Sequence, residues 1–180
     1  MATIFSHALV ASAIKQVFPF GKENKRVLFY CVVLSILPDL DVIGFSFGIR
    51  YEDALGHRGF THSLLFAVLV GGSLPYILFR HLTSTKKKLL GFLFFLSIIS
   101  HAILDAFTNG GLGVGFFIPF DNTRYFFPWT PIEVSPIGRN FFSARGLVTL
   151  MSETRLILVP VIVFYLISFW RKRKTNNQDQ

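Results

Sequence analysis

The chain has 180 residues, of which 52% are hydrophobic and only 16% are charged. An ordinary soluble domain carries about 25% charged residues, so this composition argues against both a soluble and a disordered chain. The net charge of +8 does not indicate nucleic-acid binding, because Lys and Arg gather in three short blocks at the ends of apolar runs. With Cys31 as its single cysteine, the chain cannot form an intramolecular disulfide. The composition therefore predicts a membrane protein.

Apolar runs, taken in chain order, predict the membrane-embedded helices. A first apolar segment covers residues 4–20 and has Lys15 as its only charge. Four further runs follow it, over residues 27–49, 64–79, 89–104 and 156–170. A run of about 16 residues makes roughly 24 Å of helix, so flanking residues are needed to cross a hydrocarbon core of roughly 30 Å. We predict an all-α, polytopic membrane helix bundle of four to five helices, a single domain over 1–174 with a disordered tail over 175–180.

The basic blocks predict the orientation of these helices, because cytoplasmic loops carry an excess of Lys and Arg. The blocks are Lys22, Lys25 and Arg26; Arg80, Lys86, Lys87 and Lys88; and Arg171, Lys172, Arg173 and Lys174. The other two connections, 50–63 and 105–155, have nearly balanced charge and are expected outside. The second is a long outer loop rich in glycine and aromatic residues, expected at the lipid headgroups. A multi-pass protein of the cell inner (plasma) membrane follows, with a cytoplasmic C-terminus.

Ionisable side chains recur at one depth of the predicted bundle, where they are expensive to bury. Asp39 and His101 lie equally far from the cytoplasmic ends of their runs, roughly 18 Å up. His62 begins the second helix at its outer end, and Asp105 lies one helical turn after His101, on the same face. Imidazole nitrogens and carboxylate oxygens without thiolates suit zinc, and also manganese or iron. The pattern predicts a divalent-metal site near the outer face.

His7 joins this site only if the segment 4–20 crosses the membrane with the N-terminus outside. His7 then lies roughly 22 Å from the Lys22 end, near the level of His101. Lys15 reaches the inner face along its long aliphatic stem. We predict this arrangement, and with it five embedded helices and His7 as a metal ligand.

The order of these motifs resembles a known family, the YdjM-like inner-membrane proteins, described as membrane-bound, metal-dependent hydrolases. The matching features are His7, the segments 37–41, 57–63 and 101–105, and the aromatic and proline-rich stretch 119–138. The arrangement is also similar to the zinc-dependent phospholipase C and single-strand nuclease fold. Because no histidine follows His101, this second resemblance implies one or two metal ions rather than three.

The leading hypothesis is hydrolysis of an ester or phosphoester in a lipid-like substrate by a metal-activated water, with zinc as the first choice of metal. The expected metal ligands are His7, Asp39, His62, His101 and Asp105. Asp41 and His57 are expected as further ligands or as groups that orient a ligand histidine, and Arg58 as a phosphate-binding or headgroup-anchoring group. Asp121 and Glu133 stand as extra ligands or a general base. The alternatives are a metal or proton transporter that uses the same residues, and a structural protein with a vestigial site.

Overall fold

The computed structural model describes residues 1–176, and within them the chain is helical. Six α-helices follow one another: α1 Ile4–Gln16, α2 Asn24–Ile36, α3 Leu64–Leu78, α4 Ser84–Ala106, α5 Ala144–Glu153 and α6 Val159–Asn176. The described residues contain no strand, only two isolated bridges in the long loop. The all-α prediction is confirmed. Of the predicted tail, Thr175 and Asn176 end α6, and residues 177–180 lie outside the described residues.

Helix length separates three candidate membrane spans from two shorter helices. Three stretches are long and apolar enough to cross a membrane: Gly21–Phe47, Ser84–Ala106 and Ala144–Ser168. The third joins α5 to α6 through a π-helical turn, Thr154–Leu158. Helix α3 is apolar but has 15 residues, and α1 has 13. Within the segment 4–20, predicted to cross the membrane, the helix therefore ends early, at Gln16. Pro19 contributes to this early end because it disfavours a helical conformation at the residue before it.

Side-chain caps and a proline explain where several helices begin and change geometry. The hydroxyls of Thr3, Ser63 and Thr83 accept hydrogen bonds from backbone amides in the first turns of α1, α3 and α4. Pro38, which has no amide hydrogen, stands at the start of a 3-10 segment, Leu37–Phe47, that continues α2. This change of geometry comes immediately before the acidic residues of the first long run.

Helix α4 lies at the centre of the bundle and packs against α1, α2 and α3. The closest approach is to α3, where a Cβ atom added at Gly71 would lie 2.6 Å from the backbone nitrogen of Phe95. Small residues at such crossings allow helix backbones to approach closely. Buried apolar residues of α4, among them Leu90, Leu93 and Phe94, form the main core with α2 and α3. The far end of α4 carries His101 and Asp105, so the same helix supports both the core and the polar site.

Candidate metal centre

Four elements bring the five predicted metal ligands together around the end of α4. Helix α4 supplies His101 and Asp105, and the 3-10 segment after α2 supplies Asp39. A short 3-10 turn, Phe60–His62, places His62 directly before α3, and α1 supplies His7. One ligand atom from each of Asp39, His62, His101 and Asp105 lies within 4.8 Å of the others. We call these four residues and His7 the His/Asp cluster.

The distances within the His/Asp cluster are those of groups that face a common point. His101 Nε2 lies 3.1 Å from His62 Nε2 and 3.3 Å from Asp39 Oδ1. Asp105 Oδ2 lies 3.7 Å from His62 Nε2 and 3.9 Å from His101 Nε2. The His7 ring stacks on the His101 ring with centroids 3.7 Å apart, and its Nε2 lies 3.6 Å from Asp105 Oδ1.

The cluster contains buried polar atoms that make no hydrogen bond within the described residues. They are both carboxylate oxygens of Asp39, Oδ2 of Asp105 and both ring nitrogens of His7. All three side chains are buried, with Asp39 the most exposed at 6%. A buried carboxylate without a partner is costly, and nearly all buried polar groups in proteins are paired. A cation among these oxygens and nitrogens would supply the missing partner.

The hydrogen bonds on the far sides of the two central imidazoles place a hydrogen on each Nδ1. His101 Nδ1 lies 2.6 Å from the carbonyl oxygen of Ser35, which can only accept, so Nδ1 carries the hydrogen. The Thr61 hydroxyl donates to Asp41 and lies 3.0 Å from His62 Nδ1, so it accepts from that nitrogen. In the neutral rings both Nε2 atoms then present lone pairs to each other. Such a pair is the donor set that a bound cation requires.

Asp41 lies next to the His/Asp cluster, and both of its carboxylate oxygens contact neighbouring residues. Its Oδ1 lies 2.6 Å from His57 Nδ1. Its Oδ2 accepts from the backbone amide of Arg58 and from Thr61, and lies 3.3 Å from His62 Nδ1. Asp41, His57 and His62 also meet the distance criterion for a metal group. Because the oxygens of Asp41 are already paired, these contacts favour a role in orienting the histidines.

Arg58 does not lie where a phosphate-binding or headgroup-anchoring residue was expected. Its side chain is 0% exposed and its Nε lies 3.0 Å from Asp105 Oδ2. The other guanidinium nitrogens donate to Gly110 O and Thr108 Oγ1, each at 2.8 Å. A Cβ atom added at Gly111, where φ is +90°, would lie 3.0 Å from Arg58 Nη1. The glycine-rich segment therefore makes room for a buried arginine, whose two Nη atoms donate to protein acceptors and whose Nε faces Asp105.

The remaining sequence candidates lie outside the His/Asp cluster. Asp121 is in the long loop between α4 and α5, where hydrogen bonds from Thr123 hold the pKa of its carboxyl below the usual value. Glu133 belongs to neither of the two potential metal groups found among residues 1–176. His81 is 52% exposed and lies 3.0 Å from Glu23, as expected for a solvated surface residue.

Two residues that the sequence does not single out hold segments next to the His/Asp cluster. Glu153 is 4% exposed and accepts hydrogen bonds from the first turn of α1. Arg124 donates to the carbonyl oxygens of Tyr51, Asp53 and His57, and so fixes the loop that carries His57. Burial lowers the pKa of the Arg124 guanidinium and raises that of the Tyr51 phenol beside it. An acid at the edge of an apolar run is a signal for Glu153, whereas no local pattern distinguishes Arg124.

The fold and the site define a helical protein with membrane-spanning helices and a buried His/Asp cluster able to hold a metal ion. The chain belongs to the family described as YdjM inner membrane protein, whose model matches residues 1–175. It is 35% identical over 174 residues to the Escherichia coli (strain K12) inner membrane protein YbcI, covering 96% of this chain and 100% of the relative. No solved structure matches the chain, and the similarity to the phospholipase C and nuclease fold stays a prediction.

Proposed function

We propose that the protein is a membrane-bound, metal-dependent hydrolase. The metal ligands are Asp39, His62, His101 and Asp105, with His7 against the same group. The observation that carries this proposal is the set of buried carboxylate oxygens that make no hydrogen bond within residues 1–176, beside two imidazole Nε2 atoms 3.1 Å apart. Nitrogen and oxygen donors without thiolates suit zinc, and the paired oxygens of Asp41 favour one ion over two. When bound, such an ion lowers the pKa of a coordinated water from about 15.7 toward about 7.

The chain's own residues prepare the site in three ways. Asp41 and Thr61 hold the His62 ring so that its Nε2 faces Asp39 and Asp105. The Ser35 carbonyl does the same for His101. The Arg58 guanidinium offsets part of the charge of Asp105, so that two carboxylates are tolerated in one buried place. The first two contacts fix the directions of the His62 and His101 rings before any ion binds.

An apolar cavity supports a lipid-like substrate. Its volume is about 300 Å³, and it is lined by Met1, Thr3, Ile4, Phe5, Ser135, Pro136, Gly138, Phe141 and Phe142. The first residues of the chain separate it from the metal ligands, since the amide of Ala2 donates to Asp105 Oδ1 at 2.7 Å. On the cavity side, Met1 O accepts from the amide of Ser135 at 2.9 Å. An acyl chain in this cavity would lie across the first residues of the chain from the His/Asp cluster.

The transport alternative needs polar groups along a path through the membrane. Below the His/Asp cluster, α4 is instead surrounded by buried apolar side chains such as Val27, Leu34 and Leu93. This apolar core closes the site on that side and favours an enzyme.

A screen in mild detergent tests the proposed activity. Metal-loaded protein should hydrolyse at least one of three lipid analogues, a phosphoester, a carboxylester or an amide. A His101→Ala/Asp105→Ala variant should lose this activity, and His81→Ala, which changes an exposed histidine, should keep it. Failure of the loaded wild type on all three analogues would contradict the proposal, and metal uptake into proteoliposomes would support the transporter.

We also propose that the cluster lies near the outer face, with the C-terminus in the cytoplasm, because every basic block then lies inside. Cysteines introduced as Phe142→Cys in the long loop and Thr85→Cys at the start of α4 report on the two sides, since both positions are exposed. Cys31 is buried and gives little background. A membrane-impermeant maleimide added to intact cells should label only the first variant, and the opposite result would reverse the orientation.

A further inference from the structure

Glu153 is a buried carboxylate at the end of α5 that the proposed chemistry does not use. Its side chain is 4% exposed, and its oxygens accept hydrogen bonds from three donors on α1 or its cap. Thr3 donates both its backbone amide and its hydroxyl, and the Ser6 hydroxyl donates at 2.8 Å. Glu153 therefore satisfies groups at the first turn of a helix from another part of the chain, where negative charge is also favoured by the helix dipole.

The turn that Glu153 holds is the turn that leads into the His/Asp cluster. The amide of Ala2, immediately before Thr3, donates to Asp105 Oδ1. His7, immediately after Ser6, stacks on His101 and lies 3.6 Å from Asp105. Neither His7 nitrogen makes a hydrogen bond within the described residues. The direction of the His7 ring is thus set by the placement of its backbone and by stacking, and Glu153 fixes that backbone.

The local structure around Glu153 is specialised for this contact. A π-helical turn, Thr154–Leu158, begins directly after it, and such turns often mark functional positions. Ile157 and Val161 follow Glu153 at intervals of four residues and are buried in a second apolar cluster with Ala2. One face of the continuous helix formed by α5, the π-helical turn and α6 therefore presents a carboxylate and two apolar side chains to the beginning of α1.

We propose that Glu153 is a positioning residue for the metal centre: through the first turn of α1, it holds His7 in place as a ligand. This inference rests on the proposed metal site and names a residue 150 positions from Thr3 that controls its geometry. It assigns Glu153 no contact with the metal or the substrate. Its effect should therefore be visible only through His7.

Titration of metal-stripped protein with Co²⁺ tests this inference, because the visible absorption of Co²⁺ reports the number and type of its ligands. His7→Ala should change the spectrum and weaken Co²⁺ binding. Glu153→Ala should change the spectrum in the same direction and weaken binding about 10-fold, as the loss of groups that orient ligands does. Because their effects share one route, the double variant should be no worse than His7→Ala alone. Glu153→Gln, which keeps one acceptor oxygen, should fall between wild type and Glu153→Ala.

Thr154→Ala, one residue away on an exposed position, is the matched control and should leave the spectrum unchanged. Circular dichroism verifies folding, and if Glu153→Ala does not fold, Glu153→Gln carries the comparison. A wild-type spectrum in the Glu153 variants beside an altered one in His7→Ala would overturn the inference and leave the metal centre intact. Additive effects would also overturn it. A wild type that binds no Co²⁺ would instead contradict the proposed function itself.

Discussion

The buried side chains in the two halves of α4 have opposite chemistry. In the apolar half, Leu90, Leu93 and Phe94 are 0% exposed among other apolar side chains. In the polar half, His101 and Asp105 are also 0% exposed, but they face four more ionisable groups: His7, Asp39, Arg58 and His62. Burial of apolar surface stabilises the fold at about 25 cal/mol per Å². Burial of unpaired carboxylates does the reverse.

This difference indicates that the apolar half of α4 stabilises the fold, whereas the polar half serves the proposed metal binding. Packing in the apolar half stabilises the bundle sufficiently to tolerate the polar half. The oxygens of Asp39 and Asp105 that make no hydrogen bond within residues 1–176 are accounted for by the proposed metal ion, since a well-packed apolar core would serve folding better. Substitutions along α4 should therefore separate stability from metal binding.

The largest effect on stability is expected in the apolar half. Phe94 packs against the rings of Phe79 and Tyr30, with centroids 6.2 Å apart in each pair. Phe94→Ala should lower the free energy of unfolding by about 3–5 kcal/mol through lost burial and a residual cavity. Chemical denaturation in detergent measures this change. Metal content should equal that of wild type, and its loss would show that the two halves are not separable.

Metal removal should have the next largest effect and should act through the polar half. A ligand bound only by the folded state stabilises it by about 2.7 kcal/mol at a free concentration 100 times its Kd. A chelator should therefore lower the Tm of wild type but leave that of His101→Ala/Asp105→Ala unchanged. Thermal unfolding followed by intrinsic fluorescence makes the comparison. Equal responses of the two proteins would place the metal elsewhere or exclude it.

A smaller effect, on metal affinity, is expected from substitution of Asp41, which orients the histidines. Asp41→Asn keeps the shape of the side chain but weakens its hold on His57 and His62. Metal affinity should fall by about 10- to 100-fold, while saturating metal still fills the site. Competition with a chromogenic chelator measures the affinity. Asp53→Asn changes a carboxylate in the turns after Phe47 that is paired with exposed Arg50, and it should bind metal as wild type does. Complete loss of binding in Asp41→Asn would make Asp41 a ligand.

The sequence predicts that the metal ligands lie close together, because it gives the depth of each ligand in the membrane. Basic blocks set the register of the runs, and a helix rises by a fixed distance per residue. Asp39 and His101 were therefore placed at one level before any contact was known. The early end of α1 was also readable, since Pro19 lies inside the segment predicted as a crossing.

The contacts that fix the ligands could not be predicted, because they join distant parts of the chain. The inward direction of Arg58 depends on glycines about 50 residues later that leave space for its guanidinium. The Ser35 carbonyl that orients His101 is a backbone group with no sequence signature. Glu153 reaches α1 only because the helix formed by α5 and α6 packs against α1. The depth of a residue in the membrane follows from its position along its own helix. The direction of its side chain depends on contacts with distant parts of the chain.

The measurement closest to the central claim is the metal content of the purified protein, determined by elemental analysis in mild detergent. We expect about one divalent ion per chain in wild type and in His81→Ala, as for a single site with these ligands. The His101→Ala/Asp105→Ala variant should retain less than about a tenth of that amount, because two of the four closest ligands are lost. A wild type without bound metal after metal supplementation, or a double variant with the wild-type amount, would contradict the assignment of the His/Asp cluster as a metal centre.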